Sequence, residues 1–173
     1  LSKNKFEDDM KVSGNKQIFI HRQRDVFIPP ECRQCKDKTG RPKIMLPKNP
    51  FDFLIYKKPD LILCELKSTK QKSISLDEKI IKKHQTHSLQ KFEEYEGITC
   101  GFIFNFYKYN NQTYFLHIDD FVRFIENTTR KSMSLDYCSE YGILIENTLK
   151  KVNFKYNLGK LFEDINKLSG VHE

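Results

Sequence analysis

Three side chains in the stretch FDFLIYKKPDLILCELK, residues 51–67, could do chemistry together: Asp52, Glu65 and Lys67. Asp52 lies between two phenylalanines, and Glu65 follows four apolar residues, so neither carboxylate has neighbours that would solvate it. Mg²⁺ takes hard oxygen ligands, usually one or two carboxylates, with water and substrate phosphate completing its octahedron. Such an ion polarises a phosphoryl oxygen and acidifies bound water, and a second can stabilise the leaving oxygen. An ammonium beside them can hold the attacking water and offset the charge of the transition state. The trio therefore suits hydrolysis of a phosphodiester. A plainer reading is an edge hairpin with an ordinary surface Glu–Lys pair, because a bare E-x-K is common.

For the three to meet, the stretch must fold back on itself. Residues 51–56 are aromatic and β-branched, Lys57-Lys58-Pro59-Asp60 has turn chemistry, and residues 61–64 are an apolar run. Residues near the open end of an antiparallel pair lie opposite one another, which lets Asp52 and Glu65 converge. Glu65 and Lys67, two apart, project from one face of their strand.

The flanking sequence supplies the other elements. Residues 3–12 read as a short helix with Phe6 and Met10 on one face and Glu7-Asp8-Asp9 within it. Residues 17–28 read as a strand whose charged centre, with Arg22 and Arg24, makes it an edge or a surface facing an anion. The connector 29–50 carries Arg33, Lys36, Lys38, Arg41, Lys43 and Lys48 against only Glu31 and Asp37. It is either a solvated loop or a basic arm that touches nucleic acid. Cys32 and Cys35 inside it have the spacing of half a zinc site, with no second half nearby.

After the hairpin, residues 68–73 are polar and basic, with Lys70 and Lys72. A long helix is expected from a cap at Ser75 or Asp77 to about Tyr95, ended by Gly97. It carries Gln85 between His84 and His87, a pair that reads as surface or packing residues more readily than as metal ligands. Residues 98–106 form a buried strand, 107–112 a turn and 113–118 the return strand, and Asp119-Asp120 cap a further helix. Residues 128–134 read as a basic loop, and 135–145 and 158–168 as helical or irregular covering.

A formal net charge of +7 favours a polyanionic partner. With 38% hydrophobic residues, 14 Phe and 8 Tyr, the chain suits a single α/β domain over residues 1–173 with an aromatic core. No apolar run approaches the roughly 18 residues that cross a bilayer, so no membrane partner is expected. No secretory signal is read, which gives a cytoplasmic expectation, and the opening at Leu1 leaves room for residues before it. The five scattered cysteines are mostly in apolar contexts, where a thiol is a small hydrophobe. The order of elements predicts an α/β fold with a central mixed β-sheet and helices on both faces.

That order is also the core order of the PD-(D/E)xK nucleases, and the chain resembles the RecU family of Holliday junction resolvases, from low-GC Gram-positive bacteria and their phages. The matching pieces run from about residue 4 to 168. They are FEDDM, FDFLIY followed by ELKST, the HQ of the long helix, GITCGFIFNF, YFL, RKSMSLDY and Tyr156-Asn157-Leu158. The resemblance implies a restriction-endonuclease-like core and a homodimeric endonuclease, dependent on Mg²⁺ with Mn²⁺ as substitute, that nicks two strands of a four-way DNA junction symmetrically. It makes Asp52, Glu65 and the Leu66 backbone carbonyl the metal ligands and Lys67 the catalytic lysine. Gln85 becomes the helix glutamine that organises the site, and Glu7 an acidic residue that approaches the metal. Asp60 follows Pro59 and is the alternative aspartate, but its place in the turn is far from the open end. Arg22, Arg24, the six cations of the connector, Lys70 and Lys72 are the expected DNA contacts. The family's segment between its first two strands is longer than 29–50, and a hydroxyl residue often stands where Phe51 does. Two other readings stay open: a nuclease of the same fold acting on duplex or other branched DNA, and a non-catalytic DNA-binding accessory of recombination.

Overall fold

Strand β3 (Asp60–Thr69) is the spine of the computed structural model, which describes residues 3–23 and 49–169. Ile62 to Lys67 are all buried, and a strand covered on both faces shows no polar alternation, hence its near-continuous apolar run. β2 (Phe53–Lys57) returns antiparallel to it across Lys58-Pro59, in register from Phe53↔Cys64 to Lys57↔Asp60, so the expected hairpin is present. β1 (Phe19–Arg22) adds an edge beyond β2. On the other flank β5 (Ile98–Phe106) runs parallel to β3, with Glu65 beside Phe102 and Lys67 beside Phe104. A parallel neighbour requires a crossover. Here it contains a short strand, β4 (Ser73–Ser75), and helix α2 (Lys83–Glu93). β6 (Gln112–His117) and β8 (Ile143–Leu144) complete a six-stranded mixed sheet of order β1-β2-β3-β5-β6-β8.

Helices cover both faces. From α1 (Lys3–Lys11), Phe6 and Met10 enter one core with Phe53, Ile55, Ile62, Cys64 and Leu66. Leu161, Phe162 and Ile165 of α5 (Leu158–Ser169) join them. The second core holds Leu63, Phe102 and Phe104 with Leu89 of α2, Phe121 and Phe124 of α3 (Ile118–Asn127), and Leu135 and Cys138 of α4 (Leu135–Tyr141). Side chains alternate along a strand, so the even residues of β3 face α1 and α5 while the odd ones, Glu65 and Lys67 among them, face α2.

Several elements differ from the sequence expectation. The helix expected from Ser75 or Asp77 starts only at Lys83. Asp77 closes a turn instead, taking the Lys79 N–H on its carboxylate and those of Ile80 and Ile81 on its carbonyl. Residues 128–134 are not all loop, because β7 (Ser132–Ser134) pairs with β4. Residues 147–156, which show no element in the sequence, form a hairpin of β9 (Asn147–Lys150) and β10 (Asn153–Tyr156). The cap of α3 is His117, whose Nδ1 accepts the Asp119 N–H, with Asp119 and Asp120 in the first turn. Such short polar strands carry little periodicity, and their partners elsewhere in the chain decide them.

Of the strand expected over 17–28, residues 19–22 are seen as β1. Arg24, the six cations of the connector, and Cys32 with Cys35 lie outside the described residues. Among the described residues no helix is long and apolar enough to cross a membrane.

Candidate active site

The end of the β2–β3 ladder is where polar groups gather. Asp52 sits one residue before β2, and its N–H donates to the Cys64 carbonyl at 3.2 Å. Continuing the register Phe53↔Cys64 by one step sets Asp52 across from Glu65. The Leu66 N–H reaches the Asp52 carboxylate at 3.4 Å. In a strand the N–H and C=O of one residue point to the same side, so the Leu66 carbonyl also faces Asp52, past the end of β2, where no strand of the described residues lies opposite.

Glu65 is fully buried, and its Oε2 accepts from the Lys67 ammonium at 3.0 Å. Its other oxygen, Oε1, is the one buried side-chain polar atom without a partner among the described residues. Lys67 Nζ also donates to Gln85 Oε1 at 3.3 Å. Gln85 is fixed by the start of α2, where the same Oε1 accepts the Lys82 N–H. Phe102 and Phe104, stacked 5.6 Å apart, stand beside these groups on β5, with Phe121 packed 4.4 Å from Phe102.

This apolar wall has an electrostatic consequence. Burial pushes the Glu65 carboxyl up to about 8, opposed by the Lys67 ammonium and reinforced by the Asp52 carboxylate. Burial, helped by the same two carboxylates, also raises the Cys64 thiol far above its ordinary range, so it is an inert core residue. A buried oxygen with no donor costs about 1–3 kcal/mol, and more if charged. A hard cation at this spot would supply what Oε1 lacks. Glu65 Oε1, Asp52 and the Leu66 carbonyl are all oxygen donors, which fits Mg²⁺ or Mn²⁺.

The remaining sequence-derived candidates are placed as follows. Glu7, buried on α1, receives the Arg22 guanidinium at 2.7 Å, so these two engage each other at the β1 edge. Gln23, next to Arg22, donates its N–H to the Asp52 carbonyl at 2.8 Å, but Arg22 is paired with Phe53, whose side chain enters the α1 core, so the Glu7–Arg22 pair is on the face of the sheet opposite Glu65 and Lys67. Asp60 is at the closed end of the hairpin, bonded by Asn166 at 3.1 Å. It is five residues, roughly 17 Å, from Glu65. Lys70 is exposed, and Lys72 pairs with exposed Asp136 at 3.3 Å. Among the described residues no cluster of three or more His, Cys, Asp or Glu could hold a metal, so His84 and His87 form no such group. What sequence reasoning missed is the double duty of Gln85 and the Arg22–Glu7 pair; the first could have been sought from a glutamine three residues into a helix, the second has no local signal.

A family model of recombination protein U, RecU, matches residues 44–157, a span that contains Asp52, Glu65, Lys67 and Gln85 and leaves Glu7 outside. The chain belongs to the RecU family. A RecU-family chain of this kind has a relative in Bacillus subtilis (strain 168), the SPbeta prophage-derived uncharacterized protein YotM, 38% identical over 91% of this chain and 82% of that protein. Among solved structures, Hjc of Archaeoglobus fulgidus, a Holliday junction resolvase, superposes with a TM-score of 0.50 at 13% identity, over 82% of this chain and 94% of its own. The mixed sheet and flanking helices of this RecU-family chain are thus similar to the restriction-endonuclease-like fold of that protein.

Proposed function

We propose that this chain is a divalent-metal-dependent DNA endonuclease that resolves four-way junctions by paired symmetric nicks. The observation that carries it is Glu65: a fully buried carboxylate across from Asp52, with one oxygen on Lys67 and the other without a partner among the described residues. Membership of the recombination protein U family supports the choice of DNA as substrate, and the fold shared with a Holliday junction resolvase agrees with it.

Asp52, Glu65 through Oε1, and the Leu66 carbonyl would hold the ion. When bound, Mg²⁺ or Mn²⁺ supplies Lewis acidity at the scissile phosphodiester and acidifies nearby water. Lys67 keeps an ammonium beside that position and offsets the charge that builds on the phosphoryl oxygens as water attacks phosphorus and the P–O bond to one strand end breaks. Gln85 holds Lys67 by its Nζ, so the cation stays aimed while it is only partly satisfied by Glu65. The Phe102–Phe104 wall keeps bulk water from one side of the site. Two symmetric nicks need two copies of the site, which a C2 homodimer provides. Affinity for DNA should fall steeply with salt, because phosphate contacts release counterions.

The experiment is a gel assay of labelled four-way junction and matched duplex, with Mg²⁺ or EDTA, using wild type and Asp52→Asn. Paired nicks on the junction alone, lost in EDTA and in the variant, are expected. Equal cleavage of both substrates would make the chain a nuclease of other DNA, and binding without nicks in any divalent metal would make it a non-catalytic accessory.

A further inference from the structure

Beyond the catalytic strand the chain makes a small second ribbon whose composition is unusual. β4 is Ser73-Ile74-Ser75 and β7 is Ser132-Met133-Ser134, paired antiparallel as Ser73↔Ser134, Ile74↔Met133 and Ser75↔Ser132. Ile74 and Met133 are buried in the second core, so by strand alternation the outward face of the ribbon is made of serine alone. Exposed faces of short strands normally carry bulkier β-formers or long charged chains. Four serines give a flat surface that a partner's backbone can approach closely.

The hydroxyls are also poised to donate. Ser75 Oγ accepts the Asp77 N–H at 3.1 Å and Ser134 Oγ accepts the Tyr137 N–H at 3.1 Å, which turns both O–H protons away from the backbone. Among the described residues none of the four hydroxyls has an acceptor. Cations stand at the corners. The Lys72 carbonyl takes the Leu135 N–H and the Lys131 carbonyl takes the Leu76 N–H, so Lys72 and Lys131 flank opposite ends of the ribbon, with Arg130 adjoining Lys131 and Lys70 two residues before Lys72. All four are exposed. The nearby acids are Asp136, paired with Lys72, Asp77, engaged in its turn, and exposed Glu78. The opposite end of the main sheet has the reverse charge: Asp60, Glu93, Glu94 and Glu96 border a cavity of about 470 Å³ there.

We propose that this serine-faced ribbon is a docking surface for the sugar–phosphate backbone of DNA engaged at the Asp52–Glu65 site. The inference rests on the functional reading above and deepens it by naming where an arm of the substrate runs. Hydroxyl donors with flanking Lys and Arg are the groups that position a nucleic-acid backbone without reading its bases. Ser73 follows Lys67 by six residues, so the ribbon starts no farther than about 20 Å from Lys67. Backbone charges recur about every 3.4 Å along one strand, so a duplex held at the site reaches the ribbon within about six nucleotides.

The test is anisotropy of a labelled four-way junction in EDTA across a KCl series, with cleavage in Mg²⁺ measured separately at saturating protein. Arg130→Ala combined with Lys131→Ala should make the slope of log affinity against log salt shallower by about 2, near 0.9 per lost phosphate contact. Ser73→Asp with Ser132→Asp should weaken binding at least tenfold, and Ser73→Thr with Ser132→Thr, which keep the hydroxyls, should stay within twofold. Lys167→Ala, on the far helix, should leave the slope unchanged. A wild-type slope in the Arg130/Lys131 double variant, with wild-type affinity in the Ser→Asp pair, would overturn the ribbon while junction cleavage left the functional reading standing. A wild-type protein that neither binds nor cleaves DNA would overturn both.

Discussion

Asp52 and Asn105 have nearly the same sequence surroundings, each a polar residue between two phenylalanines, yet they belong to opposite kinds of buried polar cluster. Asn105, on β5, donates to Asn111 Oδ1 and Thr113 Oγ1, both at 2.9 Å, and accepts from Ser68 Oγ at 3.0 Å. Asn111 in turn donates to Asn147 at 3.2 Å and to Tyr156 Oη at 3.1 Å. This network is neutral, and it ties β3, β5 and β6 to the β9–β10 hairpin. Burial drives the Tyr156 phenol up to about 12, so it stays a protonated hydrogen-bonding group. The Asp52–Glu65–Lys67–Gln85 cluster, on the α2 side of the same strands, is charged and leaves Glu65 Oε1 without a donor among the described residues. A closed neutral network fixes a fold, and an open charged one has capacity left for a ligand.

That contrast can be broken or sharpened by mutation. Glu65→Gln, nearly isosteric, should cut junction cleavage by about 10³-fold or more, while Lys67 keeps a side-chain oxygen to bond. Quantified single-turnover nicking checks this; activity within tenfold of wild type would show that the open cluster does not carry the reaction. Asn105→Ala should do the reverse. Leaving Asn111, Thr113 and Ser68 short of partners should cost about 2–4 kcal/mol, lowering the melting temperature by roughly 5–15 °C. Nicking per folded molecule should stay within about threefold, and a catalytic loss as deep as that of Glu65→Gln would erase the distinction between the clusters.

A pH dependence separates the two clusters without kinetics. Glu65 titrates near 8 in the folded protein against an ordinary value of 4.5. The folded state therefore holds its proton more tightly, and the associated stability is fully present below about pH 4.5 and lost as pH rises through 8. Metal-free wild type should lose stability relative to Glu65→Gln across that window, by up to about 1.4 kcal/mol per pH unit. Denaturant melts at pH 5, 6.5 and 8 read this difference, and parallel curves for the two proteins would contradict it. The smallest expected effect is that of Gln85→Ala, which frees Lys67 at one contact. It should slow nicking by about tenfold with little change in melting temperature. Unchanged nicking would reduce Gln85 to a helix-start residue bonded to Lys82.

The sheet and the meeting of Asp52 with Glu65 are legible in the sequence because they rest on local signals. An apolar run that ends in a carboxylate, a Pro-containing turn and one strand's alternation are enough to bring Asp52 to Glu65. The start of α2 is not, because residues 77–82 have helix-like composition while Asp77 spends its carboxylate and carbonyl on a turn. The serine strands are illegible for a related reason: Ser-Ile-Ser and Ser-Met-Ser show alternation over too few residues to register, and each becomes a strand only because the other lies opposite. In the sequence Glu7 points toward metal and Arg22 toward DNA, and only the packing of α1 against β1 shows that they meet. Asn105 gave the same signal as Asp52, and charge, not context, distinguishes their roles.

The claim that Glu65 Oε1 is held open for a cation can be tested without any DNA. Mn²⁺ titration of wild type and Glu65→Gln, followed by loss of the free-ion electron paramagnetic resonance signal at pH 8.5, measures it directly. Uptake by wild type and at least tenfold weaker uptake by Glu65→Gln is the predicted result. Equal uptake by the two proteins, or none by wild type, would contradict it.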